Sequence, residues 1–191
     1  LLKDLRFGND GDFQLRRFVD IVNNDLCNTI GNLLNRTISM SRKWFDCRVP
    51  SINRNHSEKS CLKQEIDATI KAYIKCFDNL DIQGSCMAIL DLATKSNVFL
   101  NEKAPWKLIK DEENKELVSI YIYNILDSTR IIGYLLKPLL PKLSENILHQ
   151  LNSDKPSEKW LDQLKWGRLD ELIELEEPKP IIDKLVLEED K

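Results

Sequence analysis

The stretch VNNDLCNTIGNLLNR, residues 22–36, decides the fold of the chain around it. Through this stretch and beyond both of its ends, apolar positions recur every three or four residues, which is the spacing of one helix face. These positions are Phe18, Val22, Leu26, Ile30, Leu33 and Thr37. Many of the polar positions between them are asparagine, a poor helix former because its side chain competes for backbone hydrogen bonds. A helix with such a face indicates recognition by hydrogen bonding or, alternatively, an ordinary solvated surface.

Two polar residues of this helix are expected to act together. Asn32 and Arg36 are four positions apart, so their side chains lie one turn apart along one edge of the helix. Gly31 precedes them and costs a helix about 1 kcal/mol relative to alanine. Such a glycine favours the close approach of a neighbouring helix. The whole helix is predicted over residues 12–45, before Pro50.

Four further long helices are predicted from apolar periodicity and from the proline and polar breaks between them. They span about residues 57–79, 82–103, 111–136 and 141–151. In the second of these four helices, Met87, Leu92 and Phe99 are expected to face inward. The third is apolar almost all round, Leu117 included, which predicts a central buried helix. Its Arg130 is expected to pair with an acidic side chain or with backbone carbonyls.

These patterns predict an all-α fold, a bundle of about five main helices with a partly irregular C-terminal tail. We place the bundle at residues 1–151 and the C-terminal extension at residues 152–191. Pro178 and Pro180 prevent a regular helix in the extension. The apolar cluster of the extension, residues 181–187, is expected to dock on the bundle or on a domain that precedes it. The chain begins without Met and within a pattern, which indicates a fragment of a longer protein.

Charge is distributed unevenly along the 191 residues, whose formal net charge is −3. Residues 1–50 carry 8 Lys and Arg against 6 Asp and Glu, whereas residues 151–191 carry 7 against 12. The acidic surplus therefore lies in the tail, and the first part of the chain remains able to approach the phosphates of a nucleic acid.

The residues typical of metal sites and of catalysis are scarce or scattered. Five cysteines, an odd number without Cys-x-x-Cys spacing, favour reduced thiols in a cytoplasmic protein over disulfides or zinc. His56 and His149 are far apart, so no metal site is predicted. The sequence contains no glycine-rich phosphate loop, no His-Glu-x-x-His and no Gly-x-Ser-x-Gly, so no catalytic residue is predicted. Its most apolar stretch, residues 131–140, is too short to span a membrane.

The tripeptide Ala104-Pro105-Trp106 interrupts the helical pattern. Pro105 lacks a backbone donor and disfavours a helical conformation at Ala104. Because proline is well tolerated in the first turn of a helix, Trp106 is expected at the start of a new helix. There it either projects from a corner or packs into the core.

Several segments together resemble the anticodon-binding domain of methionyl-tRNA synthetases. They are residues 22–26 and 31–36, the block NEKAPWKLIK at 101–110, Arg130-Ile131-Ile132 and KPLLP at 137–141. The resemblance extends over about residues 1–187. The Ala-Pro-Trp block with an upstream Asn-x-x-x-Arg is the part that is specific within class I synthetases. It implies that Asn32 and Arg36 form hydrogen bonds to anticodon bases and that Trp106 stacks on the wobble cytosine of a CAU anticodon.

At the level of the whole protein, the resemblance implies tRNA anticodon recognition within a methionine–tRNA ligase, which activates methionine with ATP and charges the methionine tRNA. The implied partners are the anticodon loop of tRNA and an upstream catalytic domain of the same chain, with no membrane and no DNA. ATP and Mg²⁺ would be cofactors of the full-length enzyme and none of this fragment, which lacks HIGH-like and KMSKS-like signatures. The alternatives are the bundle of another class I synthetase and a helical protein–protein scaffold.

Overall fold

A computed structural model describes residues 2–4, 12–53, 61–154 and 159–187. The helices of these residues follow one another in the order α1 (Leu15–Ile21), a π-helix (Val22–Gly31), α2 (Asn32–Trp44), α3 (Cys61–Asp78), α4 (Ile82–Lys103), α5 (Pro105–Leu108), a 3₁₀ turn (Glu112–Asn114), α6 (Lys115–Leu136), α7 (Pro141–Gln150) and α8 (Trp160–Gln163).

The all-α prediction is confirmed. Across the described ranges, the only β-type pairing is an isolated antiparallel bridge between Arg48 and Glu174. None of the helices in these ranges is both long and apolar enough to cross a membrane. The predicted start of the second helix, at residues 57–60, lies outside the described residues.

The first predicted helix is continuous from Leu15 to Trp44, but its middle is not α-helical. Residues Val22–Gly31 form a π-helix, in which each backbone N–H bonds to the carbonyl five residues earlier instead of four. Two side chains bind backbone carbonyls of this segment. The Thr29 hydroxyl donates to the carbonyl of Asn24 at 2.8 Å, and the Asn97 amide of α4 donates to the carbonyl of Thr29 at 3.1 Å. The second contact comes from another helix, and the apolar periodicity of residues 12–45 carries no information about it. Periodicity therefore predicted only an ordinary α-helix.

Helices α3 and α4 form an antiparallel hairpin, the most extensive helix pair of the bundle. Leu80 adopts a left-handed φ of 58° in the turn between them. Asp81 then caps α4, because its carboxylate accepts a hydrogen bond from the backbone N–H of Gly84 at 2.9 Å. The expected bounds of α4 are confirmed, and Leu92 and Phe99 are buried as predicted. Met87 was wrongly assigned to the core and is 51% exposed, since it lies on the solvent side of the helix.

Helix α6 is the centre of the molecule, as predicted, and most of its residues from Val118 to Leu136 are buried. It contacts α2, α3, α4, α5 and α7. Two details of the prediction were wrong. Leu117 is 40% exposed, because it lies in the first turn of the helix, ahead of the buried part. The segment before Lys115 is a 3₁₀ turn and not part of the α-helix.

Residues 172–187 lie along the bundle without regular secondary structure. Near its start, this segment exchanges backbone hydrogen bonds with Val49, which donates to Ile173 and accepts from Leu172, each at 2.9 Å. Farther along, residues Pro178-Lys179-Pro180 pass beside the end of α7. There the Gln150 side chain forms hydrogen bonds to both the N–H and the carbonyl of Lys179. The Asn23 side chain then binds the N–H and the carbonyl of Leu185, both at 2.9 Å.

Gly31 does permit a close approach, but the neighbour is not a helix. A Cβ atom at this position would lie 3.3 Å from Ile181 of the C-terminal segment and 3.2 Å from the carbonyl of Leu26. The prediction of a neighbouring helix at Gly31 was therefore wrong. Close helix–helix packing is found instead at Gly133 of α6, where a Cβ atom would lie 3.0 Å from Leu148 of α7.

Candidate functional site

The first part of the candidate site is an edge of α2. Asn32 begins α2 directly after the π-helix and is exposed, and Arg36 lies one turn later on the same edge and is half-buried. The opposite side of this helix is anchored in the core by Leu33, Leu34 and Ile38, each almost completely buried. The rigid core side therefore fixes the direction in which the polar edge faces.

The second part is the corner after α4. Ala104 ends that helix in a left-handed conformation, with φ of 41° and ψ of 56°. This turn redirects the chain, and Pro105 occupies the first position of α5. Pro105 is buried, whereas the next residue, Trp106, is 37% exposed. Of the two expectations for Trp106, the projecting position at a corner is the one observed.

The fold brings Arg36 and Trp106 together although 69 positions separate them. The Cζ atom of Arg36 lies 5.7 Å from the centroid of the Trp106 ring, within the range of a cation–π contact. The Nη2 group of Arg36 also donates to the Oδ1 atom of Asn101 at 3.1 Å. A guanidinium has five N–H donors, so one bond to Asn101 orients it and leaves others for a ligand. Asn32 lies one turn from this pair along α2.

Asn101 and Asn97 are contributors that sequence reasoning missed. They lie one turn apart on α4. Asn97 donates to the carbonyls of Thr29 and Ala93, at 3.1 Å and 3.0 Å, while Asn101 holds Arg36. One face of α4 thus braces both the end of the π-helix and the guanidinium of the candidate site. Asn101 is the first residue of the block at 101–110 that carries the family resemblance, so the sequence could have indicated that Asn101 matters. The sequence does not indicate that Asn101 binds Arg36.

The charge around the site is moderate. Lys103 lies over the rings of Phe99 and Tyr121, at 5.6 Å and 5.8 Å from their centroids. Lys107 and Lys110 are exposed in and just after α5. A few cations beside an aromatic ring suit a local contact with one nucleic-acid strand better than a broad electrostatic surface.

The chemistry of these groups is that of binding. An exposed indole, a guanidinium and amide side chains stack and form hydrogen bonds. In the described parts of the chain, no three His, Cys, Asp or Glu side chains are grouped so as to hold a metal ion. Burial raises the pKa of the Cys27, Cys76 and Cys86 thiols, which keeps these groups protonated and weakly nucleophilic.

Comparison with known proteins identifies the family of the chain. Residues 49–189 match the family model described as the anticodon binding domain of methionyl tRNA ligase. The methionine–tRNA ligase of Thermosynechococcus vestitus is 37% identical over 198 residues, an alignment that covers 97% of this chain and 36% of that protein. The chain therefore spans about a third of the length of this relative.

Solved structures give the same result. The free form of Mycobacterium tuberculosis methionyl-tRNA synthetase superimposes with a TM-score of 0.87 and 25% identity, over 98% of this chain and 38% of that chain. The form of that enzyme bound by methionyl-adenylate superimposes with a TM-score of 0.83 and 26% identity, over 94% and 36% of the two chains. The matching family is that of the methionine enzymes and not of another class I synthetase. The chain belongs to the family of anticodon-binding domains of methionyl-tRNA ligases.

Proposed function

We propose that this chain recognises the CAU anticodon of methionine tRNA. The observation that carries the proposal is the position of the Arg36 guanidinium, 5.7 Å from the ring of an exposed Trp106. Asn32 lies one turn away on the same helix edge. Together these residues offer one stacking surface and two sets of hydrogen-bonding groups on neighbouring elements.

The physics of single-stranded RNA recognition supports these roles. Proteins bind a loop by stacking its unstacked bases on aromatic rings and by forming hydrogen bonds to their Watson–Crick edges. In our proposal, Trp106 stacks on the wobble cytosine, while Asn32 and Arg36 form hydrogen bonds to anticodon bases. Discrimination arises because a wrong base leaves buried donors or acceptors unpaired, which costs more than a right base gains.

The proposal extends to the whole protein. In it, the chain is part of a methionine–tRNA ligase that acts in the cytoplasm, activates methionine with ATP and Mg²⁺, and charges the methionine tRNA. Residues 1–151 are the anticodon-binding bundle, and residues 152–191 are the extension that lies against it or against a catalytic domain of the same chain. None of the residues assigned above to the site takes part in the chemical step.

The stacking role is tested with Trp106→Ala. We expect this change to weaken binding of a CAU stem–loop by about 1–3 kcal/mol, or roughly 5- to 150-fold, because one base loses its aromatic partner. Fluorescence anisotropy with a labelled stem–loop measures the affinity. Trp106→Phe is the matched control and should retain most of the binding. Equal affinity of Trp106→Ala and the unmodified protein would exclude the stacking role.

The recognition role is tested with Arg36→Ala, titrated with the CAU stem–loop and with stem–loops that carry other anticodons. We expect this change to reduce the ratio of cognate to non-cognate affinity, because the lost hydrogen bonds are specific to the base. A variant that binds every stem–loop more weakly by the same factor would show that Arg36 contacts phosphate and does not read a base.

A further inference from the structure

A surface groove lies at the C-terminal end of α2, the helix that carries Asn32 and Arg36. Its volume is about 540 Å³. Its lining includes Trp44, Asp46 and Arg48 from the end of α2 and the loop after it, Lys115 from the start of α6 and Leu172 from the C-terminal segment. Nothing in the function proposed above uses this groove.

The lining combines an aromatic ring with two accessible cations. Trp44 is half-buried, with part of its surface in the groove, and Arg48 is exposed. Within the described residues, Arg48 has no ion-pair partner. Lys115 pairs with Glu112 at 3.1 Å, and both side chains are largely exposed. Such a surface pair contributes little and exchanges readily for another anion. Aromatic surface beside basic side chains is the lining that single-stranded nucleic acid requires.

Asp46 gives the groove a third kind of group. Its side chain is exposed and offers carboxylate oxygens as hydrogen-bond acceptors. It would repel a phosphate placed directly beside it but can accept from the amino group of adenine, cytosine or guanine. The groove therefore has one part that suits a base and another part that suits a phosphate.

The groove lies farther along α2 than the anticodon site. Trp44 follows Arg36 by eight residues, a rise of about 12 Å along α2. Lys43 is seven residues beyond Arg36, so it lies on the same edge of the helix, and it is exposed. A strand whose bases occupy the site at Arg36 and Trp106 would follow this edge past Lys43 to the groove.

The backbone that forms the walls of the groove is strained and firmly held. Asp46, Cys47 and Leu172 all have left-handed φ values, of 51°, 61° and 62°, although none is glycine. Such a conformation is unfavourable for a residue with a Cβ atom and persists only where the surrounding structure holds it in place. Here the enforcement comes from the two 2.9 Å backbone hydrogen bonds that join Val49 to residues 172 and 173. The groove is thus preformed, which lowers the cost of ordering it around a ligand.

We propose that this groove binds one nucleotide of the anticodon loop that flanks the CAU triplet. Its base packs against Trp44 and is within reach of the Asp46 acceptor, and its phosphate is neutralised by Arg48 and Lys115. The proposal rests on the function proposed above, since it requires the same RNA strand. It assigns to the loop after α2 and to the C-terminal segment a direct part in holding that strand.

Charge-removing variants test the phosphate contacts. In the complete protein, Arg48→Ala and Lys115→Ala should each weaken binding of the CAU stem–loop by roughly tenfold at low salt. Each should also lower the salt dependence, the slope of log K against log salt concentration, by about 0.7. The loss should be the same for CAU and other anticodons, because a phosphate carries no sequence information. Lys137→Ala is the matched control, since Lys137 is exposed and lies about 33 Å from Lys115 along α6.

A fluorescent base tests the stacking contact. 2-Aminopurine is placed in turn at each loop position outside the triplet, and its emission is measured on binding. We expect one position to be quenched by the unmodified protein and by Trp106→Phe but not by Trp44→Leu. Circular dichroism of Trp44→Leu checks that the helices are intact. If this variant unfolds, the same comparison is made with Arg48→Ala, for which quenching at that position should be reduced.

The outcomes separate this proposal from the one on which it rests. If the stem–loop binds and Trp106→Ala weakens it, while Arg48→Ala and Lys115→Ala behave like Lys137→Ala, the groove is not a nucleotide site and anticodon recognition stands. If the unmodified protein does not bind the stem–loop at all, both proposals are wrong.

Discussion

Arg130 is the largest fully buried side chain in the described part of the chain, and it is charged. Its Nε atom lies 2.6 Å from Asp127 Oδ1, and its other nitrogens donate to the carbonyls of Gln163 and Lys165. Asp127 in turn accepts from the backbone N–H groups of Gly167 and Leu169. This buried pair therefore attaches residues 163–169 to the central helix. Arg130 was expected to pair with an acidic side chain or with backbone carbonyls, and it does both.

Removing one partner of this pair should be costly. We expect Asp127→Ala to lower the free energy of unfolding by about 3–5 kcal/mol, because Arg130 is left as an uncompensated buried charge. Urea denaturation followed by circular dichroism measures the change. The exposed pair between Asp162 and Lys165, at 2.7 Å, provides the control, and Asp162→Ala should lower the free energy of unfolding far less, because water screens an exposed pair. Similar losses for the two variants would contradict the role given to burial.

The π-helix is the main feature at the scale of elements. It separates α1 from α2 within one helical run, and Asn32 is the first residue after it. π-Helical segments are rare and are frequently found at functional sites. Here the Asn97 amide of α4 holds the carbonyl of Thr29 near the end of the segment. We infer that this contact sets the rotation of α2 and hence the direction of Asn32 and Arg36.

Asn97→Ala tests this positioning role. We expect it to lower the free energy of unfolding by about 1 kcal/mol, because the bonds to the Thr29 and Ala93 carbonyls are lost. We also expect it to weaken binding of the CAU stem–loop, although Asn97 lies beneath the site and contacts no RNA in our proposal. Urea denaturation and anisotropy measure the two effects. Asn28→Ala is the control, because Asn28 is exposed and its side chain donates to Asn24 of the same helix, at 3.4 Å. The role is wrong if the two variants bind equally well.

At the scale of the whole molecule, the C-terminal segment connects distant parts of the bundle. It begins at the loop after α2, follows the end of α7 through Gln150 and Asn146, and reaches the π-helix at Gly31 and Asn23. Its attachment is uneven. Ile181 is almost completely buried, whereas Val186 is 86% exposed. The far end of the segment is therefore held mainly by the two hydrogen bonds of the Asn23 side chain.

This arrangement predicts a local effect for Asn23→Ala. We expect faster hydrogen exchange of the Leu185 amide, which has Asn23 Oδ1 as its acceptor, with little change in the global unfolding free energy. Exchange measured by NMR or mass spectrometry tests this. The neighbouring variant Asn24→Ala should leave the Leu185 amide protected. Unchanged exchange in Asn23→Ala would show that other contacts hold the end of the segment.

The local physics of the sequence determined the helices and the corner. Some features depend on interactions within one or two helical turns, so each could be recognised from neighbouring residues alone. They are the apolar spacing of residues 15–44 and 115–136, the Asp81 cap and the Pro105 break. Helix spacing placed Asn32 and Arg36 on one edge of a helix, and the Pro105 break placed Trp106 at a helix start. The family resemblance then indicated that these three residues bind the anticodon.

Only the tertiary structure decided which distant groups meet. Three sets of contacts join residues that are more than 60 positions apart. They are the contact of Arg36 with Trp106 and Asn101, the hydrogen bond of Asn97 to Thr29 and the packing of Ile181 on Gly31. The π-helix belongs to this second group, since one of its carbonyls is held from α4. Such pairings depend on how whole helices pack, which local propensity does not encode.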